Sequence, residues 1–308
     1  MNKLKVLTIS IILVLSLSLA GVAFDVSAYP LAIAPGLGTA ASFAVLGGTT
    51  VTNTGSSVVN GDLGVWPGSS ITGFPPGIIV PPGTIHQTDA VAQQAQSGVT
   101  TAYNALTSQA CDVNLTGQDL GGLTLTPGVY CFDSSAGLTG TLTLNAQGDP
   151  NSVFVFQIGS TLTTASSSSV LITTGGPACN VFWQVGSSAT LGTTTSFQGN
   201  ILALTSITLA TGAKIGCGRA LANTGAVTMD ANTINSIGYT GTGGEWCNGS
   251  GLSGGLTVPA GGGTPTILPP APIPEPGTLL LLGTGIAGLV ARRRRSAQGR
   301  QRDLAPKA

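Results

Sequence analysis

Charged side chains are scarce in this chain: they make up 7% of its 308 residues, against about 25% in ordinary globular proteins. There is one histidine, His86, and aromatic residues make up only 5%. A nucleic-acid binder is excluded, because neutralising phosphates takes clustered Lys and Arg. Metal chemistry is disfavoured as well: His86 stands alone and no C-x-x-C pair is present. Charge-driven disorder does not fit a chain that is 42% hydrophobic. What the chain has instead is Gly (46 residues), Thr, Ser and aliphatics, a composition that suits many short strands joined by tight turns.

The few charges are segregated. Lys3 and Lys5 open the chain, and Arg292 to Arg295, Arg300, Arg302 and Lys307 close it. Between Tyr29 and Ile273 the only basic residues are Lys214 and Arg219, beside eight acids. Basic ends next to apolar runs are targeting signals. Residues 1–28 read as a secretory signal peptide: two lysines, an apolar run from Val6 to Ala23, and Val26-Ser27-Ala28 as a cleavage site for signal peptidase. At the other end Pro274-Glu275-Pro276 leads into Thr278 to Ala291 and then four arginines. That apolar stretch, residues 278–291, is short for a free-standing transmembrane helix, which takes about 20 residues. The order of Pro-Glu-Pro, apolar segment and Arg cluster resembles the PEP-CTERM sorting signal of Gram-negative bacteria. The resemblance implies recognition by an exosortase, transient anchoring through residues 278–291, and delivery to the cell envelope or the exterior.

Export permits disulfides. Cys111 with Cys131 and Cys179 with Cys217 are the pairings expected, leaving Cys247 over, and the spacing keeps other pairings open.

Residues 29–240 read as one domain, 241–273 as a Gly- and Pro-rich linker, and 274–308 as the sorting segment. In the domain one helix stands out. Thr88 or Asp89 caps it, and Val91, Ala95, Val99, Ala102 and Leu106 make a single stripe of mostly small residues fit to lie against a sheet. Beyond Cys111 an internal repeat appears. Thr-Leu, once Thr-Met, recurs at Thr124, Thr141, Thr161, Thr190, Thr208 and Thr228, at intervals of 17, 20, 29, 18 and 20 residues. Phe156 to Ser160 is echoed by Trp183 to Ser187, 27 residues later. Repeats near 20 residues built of short strands mark a β-solenoid, in which Leu125, Leu142, Leu162, Leu191, Leu209 and Met229 are expected to stack inward. Trp183 is expected in the core.

Residues of about 36 to 238 then resemble the ice-binding-protein-like β-solenoid family. The resemblance rests on Leu37 to Leu46, Asn60-Gly61-Asp62-Leu63-Gly64, Leu125 to Tyr130, Asn180 to Gly186, Gly199 to Ala203 and Gly218-Arg219-Ala220-Leu221. It implies a mainly β fold: a right-handed β-helix of roughly triangular section with one long α-helix packed alongside. It also implies a flat wall that adsorbs to ice, with no cofactor and no enzymatic activity. Thr suits such a wall, since its methyl limits hydration, its hydroxyl anchors a water and its χ1 is stiff. The family face carries Thr-(Ala/Gly)-x-(Thr/Asn) steps. Here the corresponding steps are Thr164-Ala165-Ser166-Ser167, Thr193-Thr194-Thr195-Ser196 and Thr211-Gly212-Ala213-Lys214, followed by Ala231-Asn232-Thr233. The expected face is therefore Thr161, Thr164, Ser166, Thr190, Thr193, Thr195, Thr208, Thr211, Thr228 and Thr233. Ser replaces Thr or Asn in two steps, Thr194 replaces Ala or Gly, and Lys214 sets a charge where a neutral group is expected.

Two other readings compete. The same solenoid serves as a surface adhesin or matrix component that meets exopolysaccharide, a reading supported by the sorting tail. A carbohydrate-active β-helix enzyme needs paired carboxylates or basic groups at a site. The repeat region offers only Lys214 and Arg219 as bases, and Asp119, Asp133 and Asp149 fit turns better.

Overall fold

The computed structural model describes residues 32–175 and 178–236, and a short antiparallel pair, Leu256–Thr257 with Thr266–Ile267. The expected signal peptide, most of the linker, the sorting segment with residues 278–291, and Cys247 lie outside the described residues. Among the described residues no helix is long and apolar enough to cross a membrane.

The repeat becomes a parallel β-solenoid with three walls. Wall one stacks, in spatial order, Ser70–Thr72, Thr50–Thr54, Val227–Asp230, Ile207–Leu209, Ala189–Leu191, Leu162–Thr164 and Ala136–Leu138. Wall two runs from Ile78–Val80 and Val58–Asn60 through Thr233–Asn235 and the first halves of Lys214–Ala222 and Ser196–Ala203 to Ser169–Thr173, Thr141–Asn145 and Thr124–Leu125. Wall three runs from Ile85–Gln87, Asp62–Val65 and Phe43–Gly47 through the second halves of the same two long strands to Val181–Val185, Phe154–Ile158, Gly128–Phe132 and Val113–Asn114. The long strands bend from wall two to wall three at Gly199, where φ is 100°. A Cβ on the stacked Gly218 would lie 1.8 Å from the Gly199 oxygen, so only glycine lets the two corners approach.

The stacking order differs from the chain order. The first coils, residues 43–80, stack on the last one: Thr52 pairs with Thr228, and Val59 with Ile234. The chain must then travel to the far end of the stack before coiling can resume at Val113. The helix, Ala90–Thr107, makes that journey. Its 18 residues span roughly 27 Å. Nine strand positions on wall three are about 38 Å end to end, and residues 108–112 supply the remainder.

Wall three is apolar on both faces because the helix covers it. Phe43–Gly47, Gly128–Phe132 and Val181–Val185 are buried throughout, the continuous pattern of a strand with no solvent face. Ala95, Val99, Ala102 and Leu106 of the helix pack on Leu46, Val155, Phe182, Leu202 and Leu221. Val91, expected in that stripe, is instead 39% exposed on the first turn. Two glutamines fix the register. Gln96 Nε2 donates to the Ala222 and Asn223 carbonyls at 2.9 and 3.0 Å, and Gln157 Nε2 donates to Leu106 and Gln109 near the helix C-terminus at 2.7 and 2.9 Å. Inside the solenoid Tyr130, Phe156 and Trp183 stack in successive coils, with the Phe156 and Trp183 rings 4.0 Å apart. Trp183 is fully buried, and its Nε1 donates to the Gln198 carbonyl at 3.0 Å. Arg219 is buried too, with its guanidinium donating to the Ala41 carbonyl and to Asn200 Oδ1; burial lowers its pKa to about 10.

Cys111 and Cys131 form a disulfide across 20 residues, a closure of the size that contributes about 3 kcal/mol in the chain-entropy account. Cys179 and Cys217, the other expected pair, pack together with Ile172.

Asp89 caps the helix, its Oδ1 accepting the Ala92 N–H at 2.8 Å, while Oδ2 is hydrogen-bonded to His86 Nδ1 at 2.7 Å. The Ala92 N–H, aided by His86, holds the Asp89 carboxyl below the ordinary carboxylate value, against the opposing effect of burial. A depressed folded-state pKa means stability that is present above the unfolded-state value and lost as pH falls through the folded one. Asp89→Ala is expected to lower the unfolding free energy by about 1 kcal/mol at neutral pH. Urea titrations at descending pH should show the gap from wild type closing as Asp89 is protonated.

Candidate functional site

Among the described residues nothing covers wall one, and its strands are short, three to five residues each. Each carries one central residue that points outward between two that point inward. The inward set is Ala136, Leu162, Ala189, Ile207, Val227 and Val51 on one side, and Leu138, Thr164, Leu191, Leu209, Met229 and Asn53 on the other, all buried. The outward set, read along the stack, is Gly137, Thr163, Thr190, Thr208, Thr228, Thr52 and Thr72. Six threonines in register make an unbroken ladder, and five of them, all but the half-buried Thr52, are exposed.

Strand spacing sets neighbouring threonines about 4.8 Å apart, and alternate outward residues along one strand are about 6.6 Å apart. The column before the ladder is small and neutral: Ser135, Thr161, Ser188, Ser206, Ala226, Thr50 and Ser70. The column after it holds Thr139, Ala165, Gly192, Ala210, Asp230 and Thr54. Asp230 is thus the one ionisable side chain among these outward columns, and it accepts the Thr211 hydroxyl at 2.5 Å. Asp119 closes the wall at the Gly137 end. Burial raises its carboxyl, but the N–H groups of Thr139 and Gly121 and the Thr139 hydroxyl outweigh that effect, and the net pKa lies below the ordinary value.

The structure separates the expected face residues. Thr190, Thr208 and Thr228 stand on the central ladder. Thr161 is on the same wall but one column earlier, its hydroxyl donating to Ser135 Oγ at 2.8 Å. Ser166, Thr193 and Thr211 are exposed at the corner between walls one and two. Thr164 and Thr195 are overturned as surface residues. They point inward, 3% and 0% exposed, with their hydroxyls 2.8 Å apart. Gly192 N donates to Thr164 Oγ1 at 2.9 Å, and Thr195 Oγ1 donates to the Ala165 carbonyl. Thr233 lies on wall two, beside Lys214 and Val58. Lys214 therefore adds no charge to wall one. Leu125 and Leu142 also belong to wall two, where they pair with Leu144 and Val170.

Thr163, Thr52 and Thr72 were missed by sequence reading. Thr163 had a signal. The 27-residue interval between Phe156 to Ser160 and Trp183 to Ser187, applied to Thr190, lands on Thr163, whereas the Thr-Leu pair at Thr161 is two residues out of step. Thr52 had none, because its neighbour Thr228 is 176 residues away.

A parallel solenoid with one wall sheathed by a helix and another presenting a neutral threonine ladder defines the class. Residues 45–235 match the ice-binding-like family, and the chain belongs to it. Residues 272–295 match the PEP-CTERM protein-sorting motif. An ice-binding protein of Nostoc sp. (strain HG1) is 66% identical over 204 residues, which cover 66% of this chain and 75% of that one. The crystal structure of an ice-binding protein from an Antarctic biological consortium superposes with a TM-score of 0.64 at 50% identity, covering 67% of this chain and 92% of the other. The ice-binding domain of Shewanella frigidimarina superposes with a TM-score of 0.60 at 33% identity, covering 67% and 98%.

The inward and outward placements are separable by stability. Thr164→Val strands the Gly192 N–H and is expected to cost about 1–3 kcal/mol of unfolding free energy. Thr163→Val, one residue earlier, should stay within about 0.5 kcal/mol of wild type. Equal effects in a denaturant titration would contradict the assigned inward and outward directions.

Proposed function

We propose that the protein adsorbs to ice through wall one. The observation that carries this reading is the in-register ladder of Thr163, Thr190, Thr208, Thr228, Thr52 and Thr72 on a wall whose outward neighbours are small and almost free of charge. Adsorption to ice needs no nucleophile and no cofactor. It needs water held in a lattice-like array before contact. Stiff threonines supply it: the backbone spacing sets the two repeats, the methyls exclude loosely bound water, and the hydroxyls anchor the rest. The named relatives are ice-binding proteins rather than enzymes, and their names support the same reading.

The sorting motif supports export. Signal peptidase would act after residue 28, and an exosortase at Pro274-Glu275-Pro276. The domain would then work at the cell envelope or outside it, where the medium freezes first. An adhesin role toward an exopolysaccharide matrix is the weaker reading, because the ordered wall carries small hydroxyls rather than the aromatic platforms that sugars stack on.

Thr208→Tyr sets a bulky ring in the middle of the ladder. Thermal hysteresis and inhibition of ice recrystallisation should be lost, with the melting temperature close to wild type. Thr233→Tyr, on wall two, should leave both activities in place. Wild-type protein that behaves as buffer in both assays would end the ice reading. Equal loss from the two variants would move the site off wall one.

A further inference from the structure

We propose that His86, the only histidine of the chain, is a proton-operated latch that ties the first turn of the helix to the adjoining end of wall three. The proposal does not rest on the ice reading. Three neighbouring strands of wall three, Phe43–Gly47, Asp62–Val65 and Ile85–Gln87, bring the parts together, and the helix cap supplies the last of them. His86 Nδ1 lies 2.7 Å from Asp89 Oδ2, the one ion pair among the described residues. His86 Nε2 lies 2.9 Å from Thr84 Oγ1. Thr84 Oγ1 in turn lies 3.1 Å from Asp62 Oδ1, which also accepts the Thr84 N–H at 2.9 Å.

The protons along this row can be counted. Neither carboxylate has one to give, so the Asp89 contact takes the Nδ1 proton and the Asp62 contact takes the single proton of the Thr84 hydroxyl. The contact between Thr84 and His86 then needs a proton on Nε2. Only the imidazolium makes all three bonds at once. A neutral His86 that keeps its Nδ1–H on Asp89 leaves the Thr84 hydroxyl to choose between Nε2 and Asp62, and one contact is lost either way. The surroundings suit the cation. Asp89 and Asp62 are the charged groups that face it, one directly and one through Thr84. The buried Phe43 ring has its centroid 5.3 Å from that of the imidazole, inside the range of a cation–π contact. Gly64, the register partner of His86, permits that approach, because a Cβ there would lie 2.5 Å from the Phe43 ring. The positive end of the helix opposes the cation, but Asp89, its cap, stands between the two. The His86 side chain is only 17% exposed, so water is a poor substitute for a lost partner. Hydrogen bonds to a charged group are the stronger kind. The latch is therefore closed at acid pH, where His86 carries the second proton, and its contribution is lost as pH rises through the imidazole range.

Urea unfolding of the full chain at about pH 5 and about pH 8 tests the latch. The unfolding equilibrium constant should be about tenfold larger at the higher pH. His86→Gln should abolish that difference. Thr84→Val keeps the histidine and its Asp89 contact but removes the hydroxyl, and should abolish most of it. Nitrogen NMR of the one imidazole should show both ring N–H protons at acid pH, each slowed in exchange by its hydrogen bond. Equal stability of the wild type at the two pH values overturns the latch. So does an undiminished difference in Thr84→Val, since His86 would then answer to Asp89 alone, and so does an Nε2 proton that exchanges freely with water. If His86→Gln does not fold, Thr84→Val and the NMR spectrum decide.

Discussion

Everything in this domain depends on the register between stacked coils. The hydrogen bonds that join the walls are parallel and continuous, so each coil inherits the phase of its neighbour. Because side chains alternate across a strand, a slip of one residue would turn the threonine ladder inward and bring Val227, Ile207 and Leu162 to the surface. Burial of the aliphatics therefore specifies the position of the threonines. The core does not merely support the face. It sets which atom of each coil meets solvent, and it does so seven times over along wall one.

That dependence extends to the helix. The first coils stack on the last, so the chain has to cross the whole stack once, and wall three is where it crosses. A connection of this length made as a loose loop would lie over a neutral wall as easily as over an apolar one. Made as a helix with one small-residue stripe, it has a preferred partner: the outward face of wall three, which carries Leu46, Leu202, Leu221 and Phe182. Gln96 and Gln157 then fix its position by donating to backbone carbonyls at the Ala222–Asn223 corner and at the helix C-terminus. The helix leaves wall one open because wall three is the better place for it.

Much of this was legible in the sequence, and the limits were physical. The repeat, the solenoid, the helix with its Asp89 cap and the buried Trp183 all follow from local patterns of period and spacing. The face is less legible. Thr-Leu pairs look equivalent along the chain, yet Leu125 and Leu142 serve a different wall from Leu191 and Leu209. Thr164 and Thr195 fall within the stretches that match the family's Thr-(Ala/Gly)-x-(Thr/Asn) steps, yet the pair satisfies each other and the Gly192 N–H indoors. Thr52 and Thr72 were out of reach, since nothing local in a sequence announces that residue 52 stacks on residue 228. Non-local order of that kind is set by the route of the helix, which only the structure displays.

The scarcity of charge takes on a more specific meaning once positions are known. Both basic residues of the domain are kept off wall one, by different means. Arg219 is buried at the edge of wall three, where it holds the Ala41 carbonyl and Asn200. Lys214 projects from wall two. Asp89 is committed to the helix cap, and Asp119 to the turn that closes the end of wall one. Asp230 alone stands among the outward columns of that wall, where the first coil stacks on the last, with the Thr211 hydroxyl directed at it. A low overall charge would not by itself produce a wall with a single ionisable residue, because two or three misplaced residues would suffice to break it. What the composition reflects is a molecule in which charge is retained where a cap, a turn or a buried carbonyl requires it, and excluded from a surface whose work is to order uncharged water.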